Sequence, residues 1–291
     1  MTPPRDATRS GGPPSGGAPE PGRAAVSLQG VSRTLLIPLY ARAHAPSLLP
    51  GLQFEDPVAR RVADELGLGV ADVGRDKFTM RLCIARSAAL QRALAGLLDQ
   101  GPGRPVVLLA CGLDTLPLRP GGPRARWLCT DLPAVMRVRD RVLPPVAGID
   151  HAAGTLPDDL AEVAAWLDGE RPIFVLEGVL PYLDRTQAVQ TLARLAELAP
   201  KGGDLLLDGY HPALLAFARF GDGFRRMRVR FRFGIADTRE YASLAPRLRH
   251  HAETDLLALL PWHRRLRTQL PALAAAGRPL ASLAHREITA R

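Results

Sequence analysis

Four short apolar runs in this 291-residue chain stop at residues able to hold a polar ligand. Residues 105–110 run into Cys111-Gly112-Leu113-Asp114-Thr115, and residues 126–130 end at Asp131. Residues 173–176 end at Glu177-Gly178, and residues 205–207 at Asp208-Gly209-Tyr210-His211. Gly112 can take a φ closed to other residues and lets a ligand approach the backbone. Asp131 stands 19 positions after Gly112, and a carboxylate about 20 residues past a glycine turn can hold a ribose diol by two hydrogen bonds. Acids at several strand ends suit an adenosine-type ligand that also carries positive charge. Aspartate and glycine end strands in many proteins simply because they suit turns, a reading that applies most to Asp208. His211 titrates near neutral pH when unperturbed and is a candidate base, or else a hydrogen-bonded loop histidine.

The elements that must position these residues follow from periodicity. Continuous apolar runs such as 105–110 read as strands buried on both faces of a parallel sheet. Between the strands, helices are expected from Leu132-Pro133 through Val142, over 160–167 and over 186–198. Before the first strand, Asp56-Pro57 opens a helix to about Gly67, with Asp as N-cap and Pro at the first helical position. A second helix covers 78–98, where Leu82, Ala85, Ala89, Leu90, Leu94 and Leu97 repeat at three and four. Strands alternating with helices predict an α/β fold, an open, doubly wound, mostly parallel sheet. Residues 1–24 hold too little apolar surface to order and are expected to be a disordered tail. Residues 25–291 are expected to form one domain, with N-terminal helices over 25–100 and a cap insertion over about 211–250. A capped helix is expected over 237–244, another helix or two over 256–273, and an edge strand over 283–290.

Composition excludes several classes. Hydrophobic content of 46% and charged content of 23% are those of an ordinary globular domain. The three cysteines, Cys83, Cys111 and Cys129, lack metal-ligand spacing and are too few for a disulfide scaffold, so no metal is expected. No apolar run approaches the ~20 residues of a membrane span, and the first residues lack a signal-peptide layout. The expected compartment is the cytoplasm. The net charge of +9 is almost entirely arginine, with lysine only at 77 and 201. That bias, with abundant Ala, Gly and Pro, disfavours a dedicated nucleic-acid partner.

Leu109-Ala110-Cys111-Gly112-Leu113-Asp114-Thr115 resembles the glycine motif of the leucine carboxyl methyltransferase family, in its bacterial polyketide O-methyltransferase-like branch. Trp127-Leu128-Cys129-Thr130-Asp131-Leu132-Pro133 resembles that family's acidic strand end. Leu176-Glu177-Gly178-Val179-Leu180-Pro181-Tyr182-Leu183 resembles its third motif, and Phe231-Arg232-Phe233-Gly234-Ile235 a later glycine segment. The likeness runs from about Arg75 to Glu240.

The resemblance implies a class I, Rossmann-like methyltransferase fold with a helical cap, binding S-adenosylmethionine. It places Gly112 against the methionine part, Asp131 on the ribose, Glu177 at the sulfonium and amino end, and Arg81 on the methionine carboxylate. It further assigns Ala110, Asp114, Leu132, Thr155, Leu156 and Gly178 to the cofactor. Tyr182 and His211 are the candidate catalytic residues, with Tyr210 a second candidate base. The chain departs from the family at Ala110, where glycine is usual, and at Pro181, where methionine is common. Leu82 follows Arg81 where the family has threonine, and Ala85-Arg86-Ser87 replaces an acidic pair. Gly154 stands where an acid often meets the adenine amino group, so Asp158 or a carbonyl would substitute.

The implied activity is O-methyl transfer to a carboxylate or hydroxyl of a small or carrier-borne molecule of secondary metabolism. The basic run 225–232 would attract an anionic acceptor. A carboxylate acceptor is already ionised and needs no base, whereas a hydroxyl acceptor needs one. Two other readings stay open: other chemistry on the sulfonium with the same fold, or a non-catalytic nucleic-acid-binding protein.

Overall fold

The computed structural model describes residues 30–119, 125–218, 225, 229–261 and 278–291. The expected tail, part of the basic run and most of the expected helix over 256–273 lie outside them. Seven strands, β1 (Val106–Leu109), β2 (Trp127–Asp131), β3 (Ile149–Ala153), β4 (Ile173–Leu176), β5 (Gly203–Tyr210), β6 (Leu248–Asp255) and β7 (Ala281–Ile288), form one sheet. Its order is β3-β2-β1-β4-β5-β7-β6. β1 to β5 are parallel, and β7 runs antiparallel to both of its neighbours. The order reverses between β1 and β4, which is where an open α/β sheet offers a ligand crevice.

β1 shows why the sheet lies between two layers. All four of its residues are buried. Val106 and Leu108 join the apolar cluster shared with the N-terminal helices, and Val107 and Leu109 join the cluster on the opposite face. Successive strand side chains point to opposite faces, so a strand covered on both sides must be apolar throughout. Each such side chain contributes about 1.5–3 kcal/mol on burial.

Helices cover the first face as α1 (Leu36–Ala43), α2 (Ala45–Leu48), α3 (Pro57–Glu65), α4 (Val70–Val73) and the long α5 (Lys77–Gln100). Asp56 caps α3 by accepting from the Ala59 amide, with Pro57 at the first position. Asp76 caps α5 through the Phe78 and Thr79 amides. The crossovers supply α6 (Pro133–Val142), α7 (Ala161–Leu167) and α8 (Arg185–Glu197), and α9 (Pro212–Ala218) and α10 (Tyr241–Leu244) follow β5.

Two strands have no counterpart in the sequence reading. β3 carries Asp150 and His151 and buries only Ile149 and Ala152. β6 reads Arg249-His250-His251 with mostly exposed side chains, as suits a charged edge strand. The expected edge strand over 283–290 is β7, and it is internal, because β6 takes the edge.

A buried ion network ties the helical layer to the turn after β1. Asp56 Oδ2 accepts from Thr115 Oγ1 and, at 2.9 Å, from Arg119 Nε. Arg119 Nη2 donates to Asp114 Oδ1 at 2.7 Å. Arg42 lies 3.6 Å from both Asp56 and Asp114 and donates to the Leu113 carbonyl. Burial alone would lift the Asp114 pKa, but Arg42 and Arg119 override it and hold the group at about 2, against an ordinary 3.8. A depressed carboxylate pKa stabilises the fold above the unfolded-state value and loses that contribution as pH falls through the folded one. Asp114→Asn is expected to cost about 2 kcal/mol at neutral pH. Denaturant unfolding should show that difference shrinking as pH falls from about 4 towards 2.

Candidate functional site

The turn after β1 is held from three sides. Ala110 and Gly112 both have left-handed backbones, at φ 47° and 50°. The Gly112 amide donates to Asp131 Oδ2 at 2.7 Å, and Asp131 Oδ1 accepts from the Leu132 amide at 2.6 Å. From beneath, buried Arg139 of α6 donates to the carbonyls of Gly112 and Asp114 at 3.0 and 2.8 Å. From above, Leu35 of the short 3-10 turn Gly30–Leu35 lies 3.4 Å from where a Gly112 Cβ would stand. Burial raises the Asp131 pKa, and its two amide bonds oppose the rise.

At the ends of β4 and β5 the central group is Arg86 of α5. Its Nε donates to Glu177 Oε1 at 2.7 Å, and its Nη1 donates to Asp208 Oδ2 at 2.8 Å and to the Tyr210 hydroxyl at 2.7 Å. Tyr210 in turn donates to Asp208, whose carboxylate also accepts from the Gly178 amide. Gly178 has φ +68°, and a Cβ there would stand 3.1 Å from Arg86 Nη1, so glycine is required both by its backbone and by the guanidinium lying over it. Burial disfavours the Arg86 charge, but Glu177, Tyr210 and Asp208 more than offset it and its pKa stands well above the ordinary value. Burial lifts the Glu177 pKa against the pull of Arg86. Glu177 Oε2 is buried without a hydrogen-bond partner.

These groups surround a cavity of about 320 Å³, within the ordinary range for ligand pockets. Its walls include Ala110, Gly112, Asp114, Asp131 and Leu132 from the ends of β1 and β2. Thr155 and Leu156, beyond β3, and Glu177, Gly178 and Tyr182, beyond β4, complete the sequence-predicted set that it gathers. Asp114 is already engaged by Arg119, Arg42 and the Leu116 amide, so its part is to brace the turn. The Tyr182 ring lies 5.6 Å from that of Phe231. Burial pushes its pKa up to about 12, opposed by a hydrogen bond with Thr34.

Two expected residues are not brought to the cavity wall. Arg81 donates from Nε to the Leu48 carbonyl at 2.7 Å, which ties α5 to α2. Arg86 lines the cavity instead. Five residues along an α-helix turn a side chain by about 140°, so the two arginines cannot serve the same face. His211 lies outside the lining as well, and its Nδ1 accepts from the Ala213 amide at 3.2 Å. Asp158 is exposed and away from the wall. Gly154 is in the wall, but a Cβ there would stand 2.9 Å from the Asp159 carbonyl oxygen, so this backbone leaves no room for the acid common in relatives. Arg42, Tyr210 and the turn carrying Thr34 and Leu35 also line the cavity, though the motifs do not point to them as cofactor contacts. Arg42 and that turn leave a weak sequence signal, since no motif surrounds them, whereas Tyr210 follows the Asp208-Gly209 strand end, which offers it as a candidate base.

The site fits the cofactor that the motifs imply. An acid at the end of β2 faces the cavity, and the orphaned Glu177 Oε2 lies beside a guanidinium at the end of β4. A ligand with a ribose at one end and a zwitterion at the other has that polarity.

Comparison with known proteins agrees. The family model of leucine carboxyl methyltransferase matches residues 50–196. The tetracenomycin polyketide synthesis O-methyltransferase TcmP of Streptomyces glaucescens is 28% identical over 237 residues, covering 80% of this chain and 85% of the relative. The S-adenosyl-L-methionine-dependent methyltransferase dpfgK of Gibberella zeae is 28% identical over 252 residues, covering 80% and 84%. In fold, a crystal structure of a candidate methyltransferase from Thermobifida fusca matches with a TM-score of 0.55 at 15% identity, covering 94% of this chain and 99% of that one. The chain belongs to the leucine carboxyl methyltransferase family and is an S-adenosylmethionine-dependent methyltransferase.

Proposed function

We propose that the chain methylates a carboxylate oxygen of a small, largely apolar acceptor, free or carrier-borne. When bound, S-adenosylmethionine supplies a methyl group on a positively charged sulfur, open to in-line displacement by an oxygen nucleophile. The observation that carries the reading is the convergence of Asp131, Arg86 and Glu177 on one cavity. In this reading Asp131 accepts from the ribose hydroxyls with lone pairs not used by the Gly112 and Leu132 amides. Arg86 and Glu177 Oε2 face the carboxylate and ammonium of the amino-acid end. Leu35, lying over Gly112, keeps water from the turn.

The acceptor reading rests on the titratable groups in the wall. Glu177 is paired with Arg86, Asp114 with two arginines, and Asp131 braces the turn. Tyr182 and Tyr210 both have raised pKa values and stay protonated at neutral pH. Among the described residues, no histidine lines the cavity. Such a site lacks an evident general base and favours an acceptor that arrives ionised, as a carboxylate does. Tyr182 can then donate a hydrogen bond to it. Leu214, Leu215, Phe231 and Phe78 supply an apolar wall, in keeping with the polyketide named for TcmP.

Calorimetry and product analysis test the reading in turn. Asp131→Ala is expected to weaken S-adenosylmethionine binding by about 1.5–3 kcal/mol, the range for hydrogen bonds to a charged group. Arg86→Lys should weaken it about tenfold, because an ammonium cannot reproduce the planar fork. Arg81→Ala should leave the affinity as it is. Unchanged binding in a folded Asp131→Ala or Arg86→Lys protein would remove that residue from the site. S-adenosylhomocysteine is the expected product, and methylthioadenosine would mean other chemistry on the sulfonium.

With a carboxylate acceptor, the rate under saturating conditions should stay flat between about pH 6 and 8, above the acceptor's own ionisation. A rate rising about tenfold per pH unit across that window would instead point to a hydroxyl acceptor and a base.

A further inference from the structure

The ends of β4 and β5 hold more buried acid than base. Arg86 meets two carboxylates, Glu177 at 2.7 Å and Asp208 at 2.8 Å, and all three side chains are less than one-tenth exposed. Arg42, which also acts on Glu177, is shared with Arg119 between Asp56 and Asp114, two arginines for two carboxylates. Under the glycine turn, Arg139 offsets Asp131. The Cys83 thiol and the Tyr182 and Tyr210 hydroxyls are shifted up by burial and stay neutral. Among the described residues, the group around Arg86 therefore carries one negative charge more than it has bonded cations to match.

Hydrogen bonds decide where that charge is presented. Asp208 Oδ2 accepts from Arg86, from the Tyr210 hydroxyl and from the Gly178 amide, and Oδ1 accepts from the same amide at 3.0 Å. Glu177 Oε1 accepts from Arg86 Nε, and Glu177 Oε2 is left buried at the cavity without a partner. Asp208 itself lies outside the wall. Tyr241 of α10 fixes it there, its hydroxyl donating to the Asp208 carbonyl at 3.1 Å. Asp208 thus acts on the contents of the cavity through Arg86 and through its field, without touching them.

We propose that Asp208 is a positioning residue that sets cofactor specificity: its buried charge makes the cavity prefer the cationic, methyl-bearing cofactor to its spent form. The inference rests on the proposed reading of the cavity. S-adenosylmethionine carries a sulfonium, an ammonium and a carboxylate, and so one net positive charge. On methyl transfer the acceptor oxygen forms the new C–O bond and the electron pair of the broken C–S bond returns to sulfur. The sulfonium and acceptor charges cancel, and S-adenosylhomocysteine remains as a zwitterion with no net charge. The first ligand neutralises the excess charge of the site, and the second leaves it uncompensated. Unit charges about 8 Å apart at an effective dielectric constant of about 20 interact by more than a tenfold step in binding. Holding the sulfonium in the ground state does not speed the displacement itself. The gain lies in the exchange of spent for fresh cofactor, a step that often limits turnover.

Calorimetry at about pH 8, well above the ordinary carboxylate range, tests this with three ligands. They are S-adenosylmethionine, S-adenosylhomocysteine and sinefungin, in which a carbon bearing a charged amine replaces the sulfonium. The wild-type protein is expected to bind both cationic ligands about tenfold or more tightly than S-adenosylhomocysteine, and to keep that ratio in high salt, since buried charges are little screened. In Asp208→Asn an amide oxygen in the Oδ2 place can keep the bonds from Gly178, Arg86 and Tyr210, and the ratio should fall to within about threefold of one. A merely structural role for Asp208 would weaken all three ligands alike and leave the ratio unmoved, and that result in a folded variant would overturn the proposal. The wild-type series decides alone if the variant does not fold: S-adenosylhomocysteine binding as tightly as the two cations would also overturn it. A protein that binds none of the three would overturn the cofactor reading and this inference with it.

Discussion

The hydrogen bond from the Gly112 amide to Asp131 Oδ2, 2.7 Å long, joins the ends of two parallel strands at the one place where the chain must open for a ligand. A loop after a strand has no neighbour to set its path, yet here it must present amides at a fixed position. The structure meets that demand with buried charge. Arg42, Asp56, Asp114 and Arg119 brace the turn from the helical layer, and Arg139 takes its carbonyls from beneath. Buried ion pairs contribute little net stability once desolvation is counted. Their value here is positional, because a set of charges satisfied in only one arrangement excludes other paths for the turn. Ala110 shows the same tension, since an L-residue in the left-handed region carries a strain of about 1–2 kcal/mol.

The long helix α5 does for the other end of the cavity what Asp131 does for the turn. Arg86 reaches from it to the ends of β4 and β5 at once, so a helix outside the sheet sets the separation of two strand ends within it. Arg81, on another face of the same helix, fastens it to α2. Moving α5 would therefore disturb the helical layer and the polar end of the cavity together.

The elements legible in the sequence were those with uniform surroundings. β1, β2, β4 and β5 are buried on both faces and read as apolar runs, and Asp56-Pro57 announced its helix by a local cap. β3 and β6 escaped because one buries only two of its five residues and the other is a polar edge, so neither leaves an apolar run. Most of the candidate site was visible because its residues directly follow strands, and strand ends lie in register in a parallel sheet. Arg81 and Arg86 could not be told apart on the same ground. Both sit on a helix whose rotation about its axis is set by packing, and a shift of register by five residues exchanges one face for another. His211 follows a strand too, but its ring serves the amide of Ala213 at the start of α9, a local contact that spacing does not reveal.

The clamp on Arg86 also bears on how one cavity could treat two anions differently. A cofactor with a carboxylate and an acceptor with another would compete for any freely moving guanidinium. An acceptor that won would be held away from the methyl group. Arg86 has Nε and Nη1 committed to Glu177, Asp208 and Tyr210 and lies against Gly178. It cannot swing towards the apolar wall without breaking three bonds, two of them to carboxylates and each worth about 1.5–3 kcal/mol. In the proposed reading the acceptor's end is left with the Tyr182 hydroxyl, protonated at neutral pH, and with apolar surface. An environment of that kind would offer an ionised acceptor oxygen one hydrogen bond and no ion pair. A carboxylate oxygen held there would remain desolvated and nucleophilic, where an arginine in contact would neutralise it.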